Sequence, residues 1–248
     1  MITVSMICCF TNNEQLKDLM LSLKGVKNYT IEWINIDNSN NVFDSCAKAL
    51  NYGFASCSGE VIIFLHQDIV FSNTSELDII INAALKGNLV GVAGRKGTGG
   101  PVFSCIYDGL DHIQRYQTFK EDQIEVATCD ECLIAMRRST FEALHGFDEV
   151  TFDGWHFYGV DISLRANIKG IPCVVVPVYL WHKSKGKMDK KWYLYEKRLA
   201  KKYRDDFRVI YYPCGRCYTS PKRYIAASMI RPIYKKIQRV KQYKKVKG

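Results

Sequence analysis

The stretch Ser58-Gly59-Glu60-Val61-Ile62-Ile63-Phe64-Leu65-His66-Gln67-Asp68 decides the fold of this 248-residue chain. Glu60 to Leu65 is an apolar run too short for a helix and bounded by Gly59, so it reads as a strand buried on both faces. It stops at three polar side chains, His66, Gln67 and Asp68.

The flanks repeat the pattern. Thr3 to Phe10 is another continuous apolar run, followed by Thr11-x-x-Glu14, a capping-box pattern that opens a helix with Leu16, Leu19, Met20 and Leu23 at i, i+3, i+4 and i+7. Thr30 to Ile36 reads as a strand ending in Asp37-Asn38-Ser39-Asn40-Asn41, and a helical stretch through Cys46, Leu50 and Phe54 stops near Gly59. Downstream, Ser75 caps a helix through Leu77, Ile80, Ile81 and Ala84, and Leu89 to Ala93 is a fourth strand. Strands alternating with amphipathic helices predict an α/β protein with a doubly wound, mostly parallel sheet. The second half is less regular: a Gly-rich loop from Gly94 to Gly100, a strand-like run from Ile124 to Arg137, a helix through Ile162 and Leu164 to Lys169, and a strand from Ile171 to Val176. Mixed strands are expected to finish the sheet.

Composition bounds the class. At 47% hydrophobic and 24% charged residues, the chain has material for one large core and no signature of disorder. Val61 to Leu65 is far short of the roughly 18 apolar residues a membrane span needs. Met1 to Phe10 lacks a basic region and a small-residue cleavage site, which favours a first strand over a signal peptide. The ten cysteines, scattered through strand-like runs, fit free thiols in a reducing cytosol. Cys129/Cys132 and Cys214/Cys217 form two C-x-x-C pairs that would supply zinc ligands if they met, but i and i+3 on a strand point to opposite faces.

In such sheets ligands bind beyond the carboxyl ends of the strands. That rule brings Asp37, His66-Gln67-Asp68 and Trp181-His182 to one crevice. A carboxylate directly after a buried strand suits a divalent cation held against a diphosphate, with His182 as a further ligand. The alternative is that Asp68 caps a turn and His182 hydrogen-bonds within a loop.

With these motifs in this order, the sequence resembles the A-type fold glycosyltransferases of family 2, in particular a bacterial branch with a His-Gln-Asp metal motif. The carriers over roughly residues 3–188 are Phe10-Thr11-Asn12-Asn13-Glu14, Asp37-Asn38-Ser39, Asn51-Tyr52-Gly53, Ser58 to Asp68, Cys129-Asp130, Gly146-Phe147-Asp148-Glu149, Tyr158-Gly159-Val160-Asp161-Ile162-Ser163-Leu164-Arg165-Ala166 and His182-Lys183-Ser184. The resemblance implies an A-type catalytic domain over 1–186 that inverts the anomeric carbon of a nucleoside-diphosphate sugar, most readily a UDP-sugar. It places Asp37 on the base, Thr11 and Asn13 along the nucleoside, Asn51 and Asp130 with the donor, and His66, Gln67 and Asp68 at the metal motif. Asp68 and His182 would then ligate Mn²⁺ or Mg²⁺, and direct coordination by His66 would favour Mn²⁺. Arg95 and Lys96 would meet the diphosphate or serve only as loop residues.

One departure stands out. The family's Glu-Asp pair, whose Asp is the general base, falls on Tyr158-Gly159. A sugar hydroxyl needs a proton acceptor in the transition state, which leaves Asp161, Asp153 and His156 as candidates, with Asp161 also suited to a helix N-cap. A non-catalytic nucleotide-sugar-binding scaffold is the alternative.

Charge is lopsided. Residues 1–182 hold 13 Lys+Arg and 21 Asp+Glu, net −8, whereas residues 183–248 hold 22 and 4, net +18. The basic extension over 187–248 interleaves aromatics such as Trp192, Tyr195, Tyr203 and Tyr212, and Ile233, Ile237 and Val240 form a narrow helical stripe among lysines. That mixture predicts an in-plane helix on anionic lipid, in preference to a nucleic-acid partner, the alternative being a solvated helix docked on its own domain. The resemblance accordingly implies a glycan or polyprenyl-linked acceptor for bacterial surface polysaccharide or capsule, with the enzyme cytoplasmic and peripheral on the inner face of the membrane.

Overall fold

A computed structural model describes residues 1–184 and 188–230. The amino-terminal half runs β1 (Ile2–Phe10), α1 (Asn13–Ser22), β2 (Tyr29–Asp37), α2 (Cys46–Ala55), β3 (Val61–Leu65), β4 (Ile69–Phe71), α3 (Glu76–Leu85) and β5 (Leu89–Gly91). It continues through β6 (Ala93–Lys96), β7 (Gly99–Ser104), β8 (Tyr107–Asp108), β9 (Ile124–Glu125), β10 (Thr128–Cys129), β11 (Leu133–Arg137), α4 (Arg138–Ala143) and α5 (Tyr158–Ile168). β12 (Cys173–Val175), β13 (Leu180–His182), α6 (Lys190–Lys202), β14 (Val209–Tyr212) and β15 (Gly215–Tyr218) follow, then helical backbone at 221–230.

The main sheet has the order β2-β1-β3-β11-β5-β12-β9. β1 is parallel to β2 and β3, and β12 is parallel to β5, but β11 enters antiparallel between β3 and β5. The sheet is therefore mixed at its centre and parallel where β1, β2 and β3 end together.

β3 shows why the sequence demands this arrangement. Val61, Ile63 and Leu65 join an apolar cluster with α1 and α3, whereas Ile62 and Phe64 join a second with α2, α4 and α5. All five are at most 2% exposed, and each such burial contributes about 1.5–3 kcal/mol. A third cluster joins Phe157, Val160 and Leu164 of the α5 region to Trp192, Tyr195, Leu199, Tyr203, Ile210 and Tyr212. A division at residue 187 therefore cuts through a packed cluster, and four aromatics read from sequence as part of a lipid-facing surface are core residues.

Local expectations are corrected in three places. Asn12, not Thr11, caps α1, accepting from Glu14 and Gln15 N–H at 3.0 and 3.1 Å. Ser75 makes no side-chain cap bond, its backbone being helical already. The run from Ile124 to Arg137 is three short strands in two sheets, because the chain turns at Asp130, whose carboxylate accepts from Cys132 N–H at 3.0 Å. The C-x-x-C pairs do not converge on a metal: Cys132 and Cys129 lie in different apolar clusters, Cys217 in the third, and Cys214 is exposed. The stripe Ile233, Ile237 and Val240 lies outside the described residues.

Candidate functional site

The parallel ends of β1, β2 and β3 set out Thr11, Asp37 and His66 along one edge. A three-stranded sheet, β4-β13-β8, completes the site from the other side. Its register sets His182 opposite Ile69 and Asp108, which brings the β13 histidine back beside Asp68. One ligand atom from each of His66, Asp68 and His182 lies within 4.8 Å of the others, the only such group among the described residues.

The surroundings fix these side chains. Asp68 is 7% exposed and accepts from Ser184 N–H at 3.1 Å, while its carbonyl accepts from Lys183 N–H at 3.0 Å. His182 Nε2 lies 3.6 Å from Asp68 and its Nδ1 3.4 Å from Asp108, so Asp108 orients the ring from behind. His66 Nε2 lies 3.1 Å from the Tyr158 hydroxyl. Burial works to raise the Asp68 carboxyl, but His66, His182 and the Ser184 donor outweigh it and hold it below the usual range. Burial lowers His66, helped by the neighbouring His182. Burial acts to lower His182 as well, yet Asp108 and Asp68 leave it raised. Two imidazoles and one carboxylate, with a second carboxylate behind, form a mixed nitrogen and oxygen set that fits Mn²⁺ better than the all-oxygen shell Mg²⁺ prefers.

The other sequence-nominated residues separate into groups. Asp37 stays exposed at the end of β2, with Oδ1 accepting from Ser39 N–H and Oγ at 2.8 and 2.6 Å. Thr11 is exposed at the end of β1, and Asn13 is exposed on the first turn of α1. Gln67, which the resemblance places at the metal motif, braces the site: its Oε1 accepts from Thr11 and Asn12 N–H, both at 2.8 Å, tying the β1 and β3 exits together. Asn51 braces a loop in the same way. Its Nδ2 donates to the Phe147 carbonyl and Glu149 and its Oδ1 accepts from Phe147 N–H, each at 2.9 Å, so the amide is spent on the loop before α5. Arg95 donates to the Gly100 and Gly215 carbonyls at 3.0 and 2.9 Å, tying a loop to β15, and Lys96 lies over the Phe103 ring.

The proposed bases fare worst. Asp161 is 0% exposed on the inner side of α5, accepting from Arg165 Nε at 2.8 Å, Lys202 Nζ at 2.5 Å and Tyr203 OH at 2.7 Å. It is neither a cap nor open to an acceptor, because α6 covers it. Asp153 is exposed but paired with Arg198 at 2.5 Å; burial acts to raise its carboxyl, but Arg198 and Tyr195 together outweigh it and keep it low and weakly basic. His156 is half-buried, and burial lowers it.

Sequence reasoning passed over Asp108, Ser184 and Tyr158 as site residues, and also Glu131. The Glu131 carboxylate accepts from Gly159 N–H at 3.2 Å and shares a cavity of about 40 Å³ with Asp130, Phe157, Trp192 and Cys214. The available signal was its place beside Asp130 at a strand break, opposite a helix that opens with glycine in its first turn.

A mixed α/β sheet thus carries a His-Asp-His cluster beside the carboxyl edge of its parallel strands. Residues 5–210 match the model of a glycosyltransferase-like family, and the chain belongs to that family. It is 26% identical over 174 residues, 64% of this chain and 67% of the relative, to a Fuscovulum blasticum protein called "ATP synthase subunits region ORF 6". Among solved structures it is similar to GalNAc-T7 with UDP, GalNAc and Mn²⁺ (TM-score 0.57, 12% identity, 80% of this chain) and to Staphylococcus aureus TarS 1–349 in complex with UDP-GlcNAc (TM-score 0.52, 10% identity, 84% of this chain and 68% of that one). The chain spans about half, 48%, of the GalNAc-T7 chain. These likenesses establish the A-type glycosyltransferase fold.

Proposed function

We propose that this chain moves a sugar from a nucleoside-diphosphate donor, a UDP-sugar, to a hydroxyl of a glycan or polyprenyl-linked acceptor, inverting the anomeric carbon. The observation that carries the reading is the His66-Asp68-His182 cluster at the carboxyl edge of β1 to β3. UDP in one similar structure and UDP-GlcNAc in another support the donor class. Asp68 and His182, with His66, would hold Mn²⁺ or Mg²⁺, which when bound supplies positive charge against the departing diphosphate. The protein's own residues do the rest. Ser184 and Lys183 fix Asp68, Asp108 fixes His182, Asp37 and Thr11 meet the nucleoside, and Asp130 positions sugar hydroxyls.

The role in bacterial surface polysaccharide, at the inner face of the membrane through the basic extension, belongs to the same proposal. No helix among the described residues is long and apolar enough to cross a membrane. Support comes from the charge of the extension and from Ile225 and Met229, 54% and 71% exposed at i and i+4 beside Lys222 and Arg223. Calorimetric titration of UDP with and without Mn²⁺ tests the donor reading. Mn²⁺-dependent binding by the wild type that Asp68→Asn loses is expected, and equal binding by the variant would remove its basis.

A further inference from the structure

We propose that Glu131 is the proton acceptor for the incoming hydroxyl, taking over from the carboxylate absent at Tyr158-Gly159. The inference rests on the transferase reading above. Gly159 lies in the first turn of α5, and a Cβ built on it would stand 2.7 Å from Glu131 Cγ and 2.8 Å from Ile134 Cδ1. Glycine at 159 is thus the space into which Glu131 reaches from the β10–β11 turn. A carboxylate on the helix and one on the turn exclude each other there, and this chain has the second.

Three further observations converge on the same atoms. Glu131 and Asp130 line the small cavity, and that cavity shares Trp192, Tyr212 and Cys214 with a groove of about 910 Å³ that also carries Arg216 and Arg223. The aromatic and cationic lining suits a sugar acceptor carrying an acidic group. Tyr158 links the carboxylate's backbone to the cation cluster, its hydroxyl donating to the Glu131 carbonyl at 3.3 Å and lying 3.1 Å from His66. The N–H groups of Phe157, Tyr158 and Gly159 face the carboxylate, and Phe157 adopts a left-handed φ of 70° as it leads into that turn. Burial, then the charge of Asp130, push the Glu131 carboxyl up to about 8 against these donors, a value suited to a base near neutral pH.

In the step, the acceptor oxygen bonds to the anomeric carbon while the carbon–oxygen bond to the diphosphate breaks, its electron pair leaving with the nucleoside diphosphate. The hydroxyl proton passes to Glu131 and then to solvent. Other titratable groups around Glu131 are Asp130 and Cys132 on its own turn, Tyr158 on α5, Cys46 on α2 and Cys214 beyond β14. The Cys46 and Cys132 thiols and the Tyr158 phenol are raised by burial and stay neutral at pH 8.

The test uses the full chain with Mn²⁺, the UDP-sugar that most raises its melting temperature, and octyl glycosides as acceptors. Glu131→Gln keeps an oxygen for the Gly159 N–H, so a capping role survives in it and a base does not. The expected result is a 10²- to 10⁴-fold fall in kcat, UDP affinity within about twofold of wild type, and loss of the rise in kcat toward pH 8. Transfer within tenfold of wild type, or parallel loss of UDP binding and turnover, overturns the assignment. If the Gln variant does not fold, Glu131→Ala is assayed with formate: formate-dependent recovery of turnover supports the assignment and its absence overturns it. A wild type that neither binds UDP with Mn²⁺ nor transfers sugar would instead overturn the transferase reading itself.

Discussion

Asp161→Asn is expected to damage the fold and spare the chemistry. The carboxylate is 0% exposed and receives Arg165, Lys202 and Tyr203, joining α5 to α6. The amide cannot neutralise two cations, and whichever way it turns, its NH₂ group meets at least one donor. Removing one partner of a buried ion pair costs about 3–5 kcal/mol. Here Arg165 keeps the Leu144 and Gly146 carbonyls and Lys202 keeps Asp148, and both cations are partly solvated, with side chains 20% and 25% exposed. The lower end, about 3 kcal/mol, is therefore expected. At about 2–4 °C per kcal/mol for a chain of this size, the melting temperature falls by about 6–12 °C. Scanning calorimetry measures this, paired with turnover at 20 °C, where kcat should stay within about threefold of wild type. A melting temperature within 2 °C of wild type together with a hundredfold loss of kcat would refute the reasoning and make Asp161 the base.

His182→Ala should weaken Mn²⁺-dependent UDP binding less than Asp68→Asn does, because water replaces one neutral ligand more readily than it replaces the shell's only carboxylate; calorimetric titration ranks the two. Gly159→Ala should lower both stability and turnover, since relieving a 2.7 Å approach to Glu131 costs about 1–3 kcal/mol, and a wild-type melting temperature and kcat would contradict the packing. Deleting residues 222–248 should abolish pelleting with anionic vesicles. Tighter binding to single-stranded nucleic acid than to anionic vesicles at equal salt would reverse the choice of partner.

The sequence carried the β1 to β3 edge because apolar runs that end at polar residues depend on local pattern alone. Asp68 and His182 were legible for the same reason, each lying at a strand end. Asp108 was not, since it reaches His182 only through a short parallel pairing with β13 that no periodicity announces. The bracing roles of Asn51 and Gln67 were not legible, because the same amides suit a ligand and a loop brace, and the partners that they brace are distant in sequence. Asp161 failed differently. Its cations lie at Arg165, four residues on, and at Lys202, forty-one residues on, in a segment read from its charge as a separate extension. Net charge describes solubility and steering and says little about packing.

Glu131 also sets stability against activity as pH changes. Its carboxyl is raised in the fold to about 8 from an ordinary value near 4.5, so the native state favours the protonated form. The stability this confers is complete below about pH 4.5 and is lost as pH rises through 8. A base must be ionised to act, so kcat should climb over the interval in which stability declines. Glu131→Gln, unable to ionise, should lose both dependences, leaving melting temperature and residual turnover flat between pH 6 and 8.5 apart from the other titrating groups. Melting curves and initial rates collected at the same pH values separate this from a purely structural glutamate, which would change the melting curve alone. A wild type whose kcat does not vary between pH 6 and 8.5 would show that proton acceptance at Glu131 does not limit transfer.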